Sequence, residues 1–255
     1  MKLLIAVPSK GRAVQFAQFT GSWLHKVDGI ERAVFVERDE VESYWAHSLI
    51  PVVGIEQHNL GLGMTNRYIK EFAKAHKFDL IFKIDDDLMG WVGKTRKFSD
   101  TLNPFVFQML LDDCVKIFDQ YPQVGGISFP YSFQMFELKK WVGVNQRFQT
   151  CYLVRTDSML DDPRISAFED FGNFLNIVLK KQQVVLRYGY AGMHCLPVGE
   201  GLGGHQSFDR KARFEQEAAA LREIHPGLQF KRVEGKGWTY EPDLRDPILR
   251  PPKIK

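Results

Sequence analysis

The chain has 255 residues, of which 44% are hydrophobic and 25% charged, and its formal net charge is +3. These values exclude a disordered chain and fit one large domain, or a domain with a tail. No stretch approaches the ~18 apolar residues of a membrane span, and the apolar N-terminus is too short for a signal peptide. The mild positive charge permits a polyanionic partner without arguing for one. Three widely separated cysteines predict reduced thiols in a cytoplasmic protein.

The first half of the sequence alternates strands and helices. Apolar runs predict strands, and apolar residues at helical spacing predict the helices between them. The predicted strands cover residues 2–7, 32–37, 51–55 and 79–84, and the helices cover 13–27, 39–47 and 63–76. This order predicts an α/β protein with a mostly parallel, doubly wound sheet flanked by helices.

The second half is less regular. Helices are predicted at residues 104–121, 169–181 and 208–224, and strands at 124–129, 149–155 and 183–190. Residues 196–204 are rich in glycine, and the chain after residue 225 is basic and contains several prolines. Because no repeat and no linker divides the sequence, we expect one domain over residues 1–207, with 208–255 as a helix and basic tail of the same domain.

An acidic triplet, Asp85-Asp86-Asp87, directly follows the apolar run at residues 80–84. Carboxylates this close repel each other and raise each other's pKa. A divalent cation such as Mg²⁺ or Mn²⁺ relieves that repulsion, and it commonly takes substrate phosphates into its open positions. The end of a sheet strand is also where open α/β sheets bind ligands. The triplet therefore predicts a metal–diphosphate site, and the alternative is a solvated acidic turn.

The loop at residues 8–12 follows the first predicted strand. Gly11 permits a tight turn, and Lys10 and Arg12 supply cations for a phosphate. The loop lacks the spacing of a dinucleotide or phosphate-loop motif. An ordinary turn between strand and helix explains it equally well.

A second glycine-containing segment, residues 61–67, opens the helix at 63–76. Gly61 and Gly63 let the backbone approach a ligand, and a helix N-terminus attracts anions. Arg67 in the first turn opposes the helix dipole, which favours a functional role over simple helix capping.

Two further patterns lie later in the chain. Glu169 and Asp170 open a helix, where they either suit the helix dipole or supply a general base that deprotonates an acceptor hydroxyl. His194 and His205 lie near predicted sheet-end loops, and either could complete the metal site of the triplet. A lone histidine is more often structural than metal-binding.

Together these motifs resemble the nucleotide-sugar glycosyltransferases of the GT-A fold, over roughly residues 1–207. The resemblance implies that the triplet is the DxD element, which binds Mn²⁺ or Mg²⁺ and the sugar nucleotide, with donor binding in residues 1–100 and acceptor binding in 101–207. It implies a metal held by Asp85, Asp87 and either His194 or His205, and a base supplied by Asp170 or Glu169. The implied donor contacts are Pro8, Ser9, Lys10, Arg12, Gly63, Asn66, Arg67, Asp85 and Asp86.

A narrower resemblance is to the TET-associated glycosyltransferases, mostly phage enzymes that attach sugars to hydroxymethylated bases in DNA. It is carried by residues 5–13, 35–37 with Tyr44, 61–67, 84–87 and 203–207. It implies a UDP-sugar donor such as UDP-glucose, and 5-hydroxymethylcytosine in DNA as acceptor, within the host cytoplasm of a bacteriophage.

A DNA acceptor would require basic and aromatic residues beside the active site, since chemistry on a base usually requires its extrusion from the duplex. The candidates are Trp91, Lys94, Arg96, Lys97, Trp141, Arg210, Lys211 and Arg213. Each alone is more often a solvated cation or a core tryptophan. The alternatives are a saccharide, lipid-linked or protein acceptor, a non-catalytic sugar-nucleotide or metal-binding module, and a nucleotidyltransferase.

Overall fold

The computed structural model of the protein describes residues 1–56, 61–93, 104–135, 138, 142–195, 210–232, 240–243 and 249. In its first half, strands and helices alternate as predicted, with bounds that differ by one or two residues except in the helix predicted at residues 13–27. The strands are β1 Leu3–Pro8, β2 Glu31–Glu37, β3 Val52–Ile55 and β4 Leu80–Lys83, and the helices are α1 Ala13–Gln18, α2 Thr20–Leu24, α3 Val41–Trp45 and α4 Leu62–Ala75. A 3₁₀ turn, Arg38–Glu40, precedes α3.

The second half contains more short elements than the sequence predicted. Its helices are α5 Pro104–Gln120, α6 Ser132–Met135, α7 Glu169–Leu175 and α8 Arg210–Ile224, and α7 continues as a π-helical turn, Asn176–Lys180. Its strands are β5 Leu88–Gly93, β6 Val124–Ser128, β7 Val142–Val144, β8 Tyr152–Arg155, β9 Val184–Tyr188, β10 Ala191–Cys195, β11 Phe230–Arg232 and β12 Tyr240–Pro242. The sequence analysis missed β5, β7, β10, β11, β12 and α6.

The described residues form a central sheet of eight strands in the order β3-β2-β1-β4-β8-β6-β9-β7. Strands β3, β2, β1 and β4 are mutually parallel, and β6 is parallel to β9. Strand β8 runs antiparallel to both β4 and β6, and β7 runs antiparallel to β9. This mostly parallel sheet confirms the predicted α/β fold class.

Helices cover both faces of the sheet and create two hydrophobic clusters. One cluster includes Phe16 of α1 with Leu111 and Phe118 of α5. The other includes Phe174 of α7 and Leu221 of α8, so α8 shares a core with the earlier helices. Every residue of β1 is buried, which explains why β1 reads as a continuous apolar run rather than an alternating one. Among the helices in the described part of the chain, none has the length and apolar character needed to cross a membrane.

The helix predicted at residues 13–27 is two helices, which meet at Phe19. The hydroxyl of Thr20 donates to the Asp85 carbonyl at 2.7 Å and accepts from the Leu88 amide at 2.9 Å. The start of α2 therefore anchors the backbone on both sides of Asp86 and Asp87.

After the triplet, the chain leaves the central sheet and forms β5, which pairs with β10 in a separate two-stranded ladder. His194 lies within β10, opposite Gly90, and not in a loop after a strand as predicted. The ladder brings β10 back toward the acidic triplet.

Gly63 lies where α4 approaches the chain before α7. A Cβ atom on Gly63 would lie 2.2 Å from the backbone oxygen of Ile165, so we expect Gly63→Ala to lower the free energy of unfolding by about 1–3 kcal/mol. Alanine usually stabilises a helix relative to glycine, so the expected sign is opposite to the helix propensity. Urea unfolding measures the effect.

The control is Arg67→Ala in the exposed part of the same helix, which should change the free energy of unfolding by less than about 0.5 kcal/mol. A Gly63→Ala protein that is more stable than the unmodified protein would show that this close approach imposes no constraint.

Candidate functional site

The acidic triplet and the loop at residues 8–12 meet at the carboxyl ends of β1 and β4, which are neighbours in the sheet. The Ser9 hydroxyl donates to the Asp86 carboxylate and lies 2.5 Å from the Tyr44 hydroxyl. Arg12 Nη1 lies 3.0 Å from Asp86 Oδ1 and 3.6 Å from Asp87 Oδ2. The structure thus brings together the two motifs that the sequence singled out first.

The three carboxylates of the triplet have different surroundings. Asp85 Oδ1 lies 2.6 Å from Lys83 Nζ. Asp86 is buried, and burial raises its pKa while the charge of Arg12 lowers it. The side chain of Asp87 is 30% exposed, and burial together with the charges of Asp85 and Asp86 raises its pKa to about 6. Of the three carboxylates, Asp87 is therefore the one whose repulsion by its two neighbours a cation would relieve most.

Lys83 is a site residue that the sequence analysis missed. It is the last residue of β4, only 1% exposed, and its ammonium contacts Asp85, Glu169 Oε1 at 3.0 Å and the Thr150 carbonyl at 3.0 Å. Burial opposes its charge, but Asp85 and Glu169 outweigh burial and hold the pKa of Lys83 above its usual value. Its one signal in the sequence was a charge within an apolar strand.

Glu169 and Asp170 are neighbours with different environments. Glu169 is buried, and its Oε2 accepts from the Tyr152 hydroxyl at 2.5 Å and from Asn66 Nδ2 at 3.4 Å. With Lys83 on its other oxygen, Glu169 is fully engaged, which argues against its predicted role as a base.

Asp170 is 22% exposed, with its Oδ2 3.5 Å from Arg147 Nε. Burial raises the pKa of Asp170 to about 7, although Arg147 lowers it. A carboxylate with a pKa near neutrality and partial access to solvent suits a general base. Of the predicted pair, Asp170 is the candidate that the geometry favours.

The predicted third metal ligand stays a prediction. Within the described parts of the chain, no three His, Cys, Asp or Glu side chains come close enough together to hold a metal ion. His194 is thus not grouped with Asp85 and Asp87, and His205 lies outside the described residues. Burial and the charges of Asp85 and Asp87 raise the pKa of the thiol of Cys195, the next residue of β10.

The other predicted donor contacts have partners within the protein. Lys10 Nζ lies 2.8 Å from Glu37 Oε1, at the end of β2, and the side chain of Lys10 remains half-exposed. Arg67 pairs with Glu71 at 3.0 Å on the surface of α4. Pro8 ends β1, and Gly63 and Asn66 contact the segment around Ile165 and Glu169. We therefore assign packing roles to Gly63 and Asn66.

The residues that were predicted to contact DNA differ in their surroundings and in whether the structure describes them. Trp91 is 1% exposed and packs against Phe82, Phe107 and Phe129, so the prediction that it stacks on an extruded base is wrong. Arg213 Nε lies 2.9 Å from Glu217, whose carboxylate accepts from the backbone amides of residues 166–168. Outside the described residues, or with undescribed side chains, are Lys94, Arg96, Lys97, Trp141, Arg210 and Lys211.

Comparison with solved structures shows which proteins share this fold. Glucosyl-3-phosphoglycerate synthase from Mycobacterium tuberculosis, in complex with Mg²⁺ and UDP, is 13% identical with a TM-score of 0.55, and the match covers 94% of this chain and 86% of that one. The same enzyme with Mn²⁺, UDP-glucose and phosphoglyceric acid is 14% identical with a TM-score of 0.52, over 94% and 86% of the two chains. A structure described as a mycobacterial protein is 13% identical with a TM-score of 0.52, over 94% and 82%.

At these identities the likeness shows the fold, and it confirms the predicted GT-A-like α/β architecture. No protein-family model matches the sequence, and no curated protein matches it.

Proposed function

We propose that this protein is a metal-dependent glycosyltransferase that moves a sugar from a nucleotide-sugar donor to a hydroxyl group of an acceptor. The observation that carries the proposal is the acidic triplet at the end of β4, with Asp87 partly exposed and Arg12 beside it. The fold supports it, because the synthase with this fold was solved with Mg²⁺ or Mn²⁺ and UDP.

Two carboxylates fit a divalent cation that takes its other ligands from water and from the diphosphate of a donor. Carboxylate oxygens are the ligands that Mg²⁺ and Mn²⁺ prefer, and burial together with the charges of Asp85 and Asp86 raises the pKa of Asp87, so a cation beside it would favour its ionised form. Asp87 would hold the ion with Asp85, and His194 or His205 stays the predicted third ligand. Such an ion neutralises charge that develops on a diphosphate leaving group.

The loop at residues 8–12 supplies two cations, Lys10 and Arg12, beside the end of β1. Arg12 already contacts Asp86 and Asp87, and Lys10 keeps half of its side chain exposed while it pairs with Glu37. Both would contact the phosphates of a donor. The UDP in the synthase of the same fold favours a UDP-sugar.

Asp170 serves as the base. It takes the proton of the acceptor hydroxyl while that oxygen forms a bond to the anomeric carbon and the bond from this carbon to the diphosphate breaks. Lys83 connects Asp170 to the donor site, because its ammonium contacts Asp85 of the triplet and also Glu169, the residue that precedes Asp170.

Two acceptor classes follow from different observations. The motif resemblance to the TET-associated enzymes favours a hydroxymethylated pyrimidine in phage DNA. The phosphoglyceric acid bound to the synthase favours a small molecule. Trp91 and Arg213, the predicted DNA contacts with described side chains, have partners inside the protein, so the DNA acceptor rests on the motifs alone.

A turnover assay tests the function and separates the acceptors. The protein is incubated with Mn²⁺ and a panel of sugar nucleotides, with hydroxymethylated DNA, unmodified DNA or small hydroxy acids and sugars as acceptors. Nucleoside diphosphate release and acceptor mass are measured. Metal-dependent release with a mass gain of one sugar supports the proposal and identifies the acceptor. No release with any donor would leave a non-catalytic binding module as the better account.

The rate of transfer should depend on pH through Asp170. A base must be ionised, and burial raises the pKa of Asp170 to about 7, so kcat should rise between about pH 6 and 8 and then level off. The residual rate of Asp170→Asn serves as the control and should lack this rise. A rate in the unmodified protein that is flat over the same range would contradict the assignment of the base.

A further inference from the structure

Lys83 is an unusual residue for its place in the sheet. Strand β4 lies between β1 and β8, and all four of its residues are buried. In register, Lys83 stands beside Ala6 of β1 and Tyr152 of β8. A buried ion pair is weak evidence for stability, because apolar residues of similar size often stabilise a core equally well. A structural role alone therefore does not explain a charge at this position.

The ammonium of Lys83 connects two parts of the site that are far apart in sequence. An ammonium has three protons, and the three acceptors around Lys83 are Asp85 at 2.6 Å, Glu169 at 3.0 Å and the Thr150 carbonyl at 3.0 Å. Asp85 belongs to the triplet and Glu169 is the first residue of α7. One side chain thus joins the donor side to the helix that carries Asp170.

The other contacts of Glu169 make this connection rigid. Its second carboxylate oxygen accepts from Tyr152, and Asn173 Nδ2 donates both to the Tyr152 hydroxyl at 3.0 Å and to the Glu169 carbonyl at 2.9 Å. The side chain and backbone of Glu169 are therefore held from both sides. Asp170 follows Glu169 directly, so its backbone position is set by the same contacts.

We propose that Lys83 is a positioning residue that fixes the carboxylate of Asp85 and the start of α7 relative to each other, and so sets Asp170 relative to the donor. This role rests on the proposed function. Lys83 acts through Asp85 and Glu169 and does not itself touch the reacting atoms.

The test compares Lys83→Met with Lys70→Met. Lys70 is also buried, and its ammonium contacts the Met159 carbonyl at 2.6 Å and Asp161 at 3.1 Å, so it matches Lys83 without a contact to the triplet. Because Lys83→Met leaves Glu169 without its counter-charge, the double variant Lys83→Met/Glu169→Gln is made beside Glu169→Gln alone. These two variants isolate the contribution of Lys83 if the single variant fails to fold.

The measurements are UDP binding in the presence of Mn²⁺, by calorimetry, and kcat per folded molecule. We expect removal of Lys83 to weaken UDP binding about tenfold, as for other residues that orient metal ligands. We expect kcat to fall about 100-fold, as for a misplacement near 1 Å. Lys70→Met should lose stability and keep both values within about twofold.

Two other outcomes separate a failure of the role of Lys83 from a failure of the proposed function. If the double variant matches Glu169→Gln in both UDP binding and kcat while the unmodified protein is active, Lys83 has no positioning role. If the unmodified protein binds neither Mn²⁺ nor UDP and transfers no sugar, the proposed function fails, and the role of Lys83 fails with it.

Discussion

Replacing Asp87 with asparagine is expected to lower the rate of sugar transfer by about 10²–10³-fold. Asp87 is the member of the triplet that contacts neither Lys83 nor Ser9, and its pKa is raised by burial and by the charges of Asp85 and Asp86. Asparagine keeps the size of the side chain but removes the charge that attracts a cation. The fold should remain, because one repulsive charge is lost and the contacts of Asp85 and Asp86 stay.

The measurement for Asp87→Asn is UDP affinity with and without Mn²⁺, together with turnover. Affinity should fall in the presence of the metal and stay unchanged in its absence. The control is Asp28→Asn, an exposed aspartate that precedes the amino end of β2, whereas the triplet follows the carboxyl end of β4. Metal-dependent transfer at the normal rate by Asp87→Asn would show that the triplet does not bind the metal through this residue.

Replacing Asp170 with asparagine is expected to lower kcat by about 10²–10⁴-fold, with UDP affinity unchanged. The loss follows from removal of the group that accepts the hydroxyl proton, and the donor contacts are left in place. Near-normal transfer with intact UDP binding would exclude Asp170 as the base.

The stability of Asp170→Asn offers an independent check. The pKa of Asp170 is about 7 in the folded protein and about 4 when unfolded, so the folded state binds the proton more tightly. Its contribution to stability is therefore present at low pH and is lost as the pH rises from about 4 to 7. Asparagine does not ionise, so at pH 8 the variant should melt several degrees higher than the unmodified protein. A lower melting temperature at pH 8 would show that the ionised carboxylate stabilises the fold.

The order of strands and helices in the first half of the chain could be predicted from the sequence, because the central strands are buried on both faces of the sheet. β1 therefore appears as an uninterrupted apolar run, and β4 appears as an apolar run that only Lys83 interrupts. The pairing of β5 with β10 could not be predicted in the same way. β5 contains two glycines, and its partner lies about a hundred residues further along the chain.

Part of the site could also be predicted. The loop at residues 8–12 and the triplet each follow a strand of the parallel sheet, so their placement at the end where such sheets bind ligands could be predicted. The difference between Glu169 and Asp170 was not predictable, because it depends on Lys83 and Tyr152, which reach Glu169 only in the folded chain. Trp91 was misassigned because an aromatic residue after a strand has the same sequence signal in a core as on a binding surface.

Crystallography can show whether the acidic triplet binds the metal and the donor. Crystals grown with UDP and Mn²⁺, and measured at the manganese absorption edge, would locate the ion independently of the protein atoms. The account predicts an anomalous peak at the carboxylate of Asp87, with the diphosphate between the ion and the loop that carries Lys10 and Arg12. An ion and a nucleotide bound elsewhere on the protein, or no binding at saturating concentrations, would contradict it.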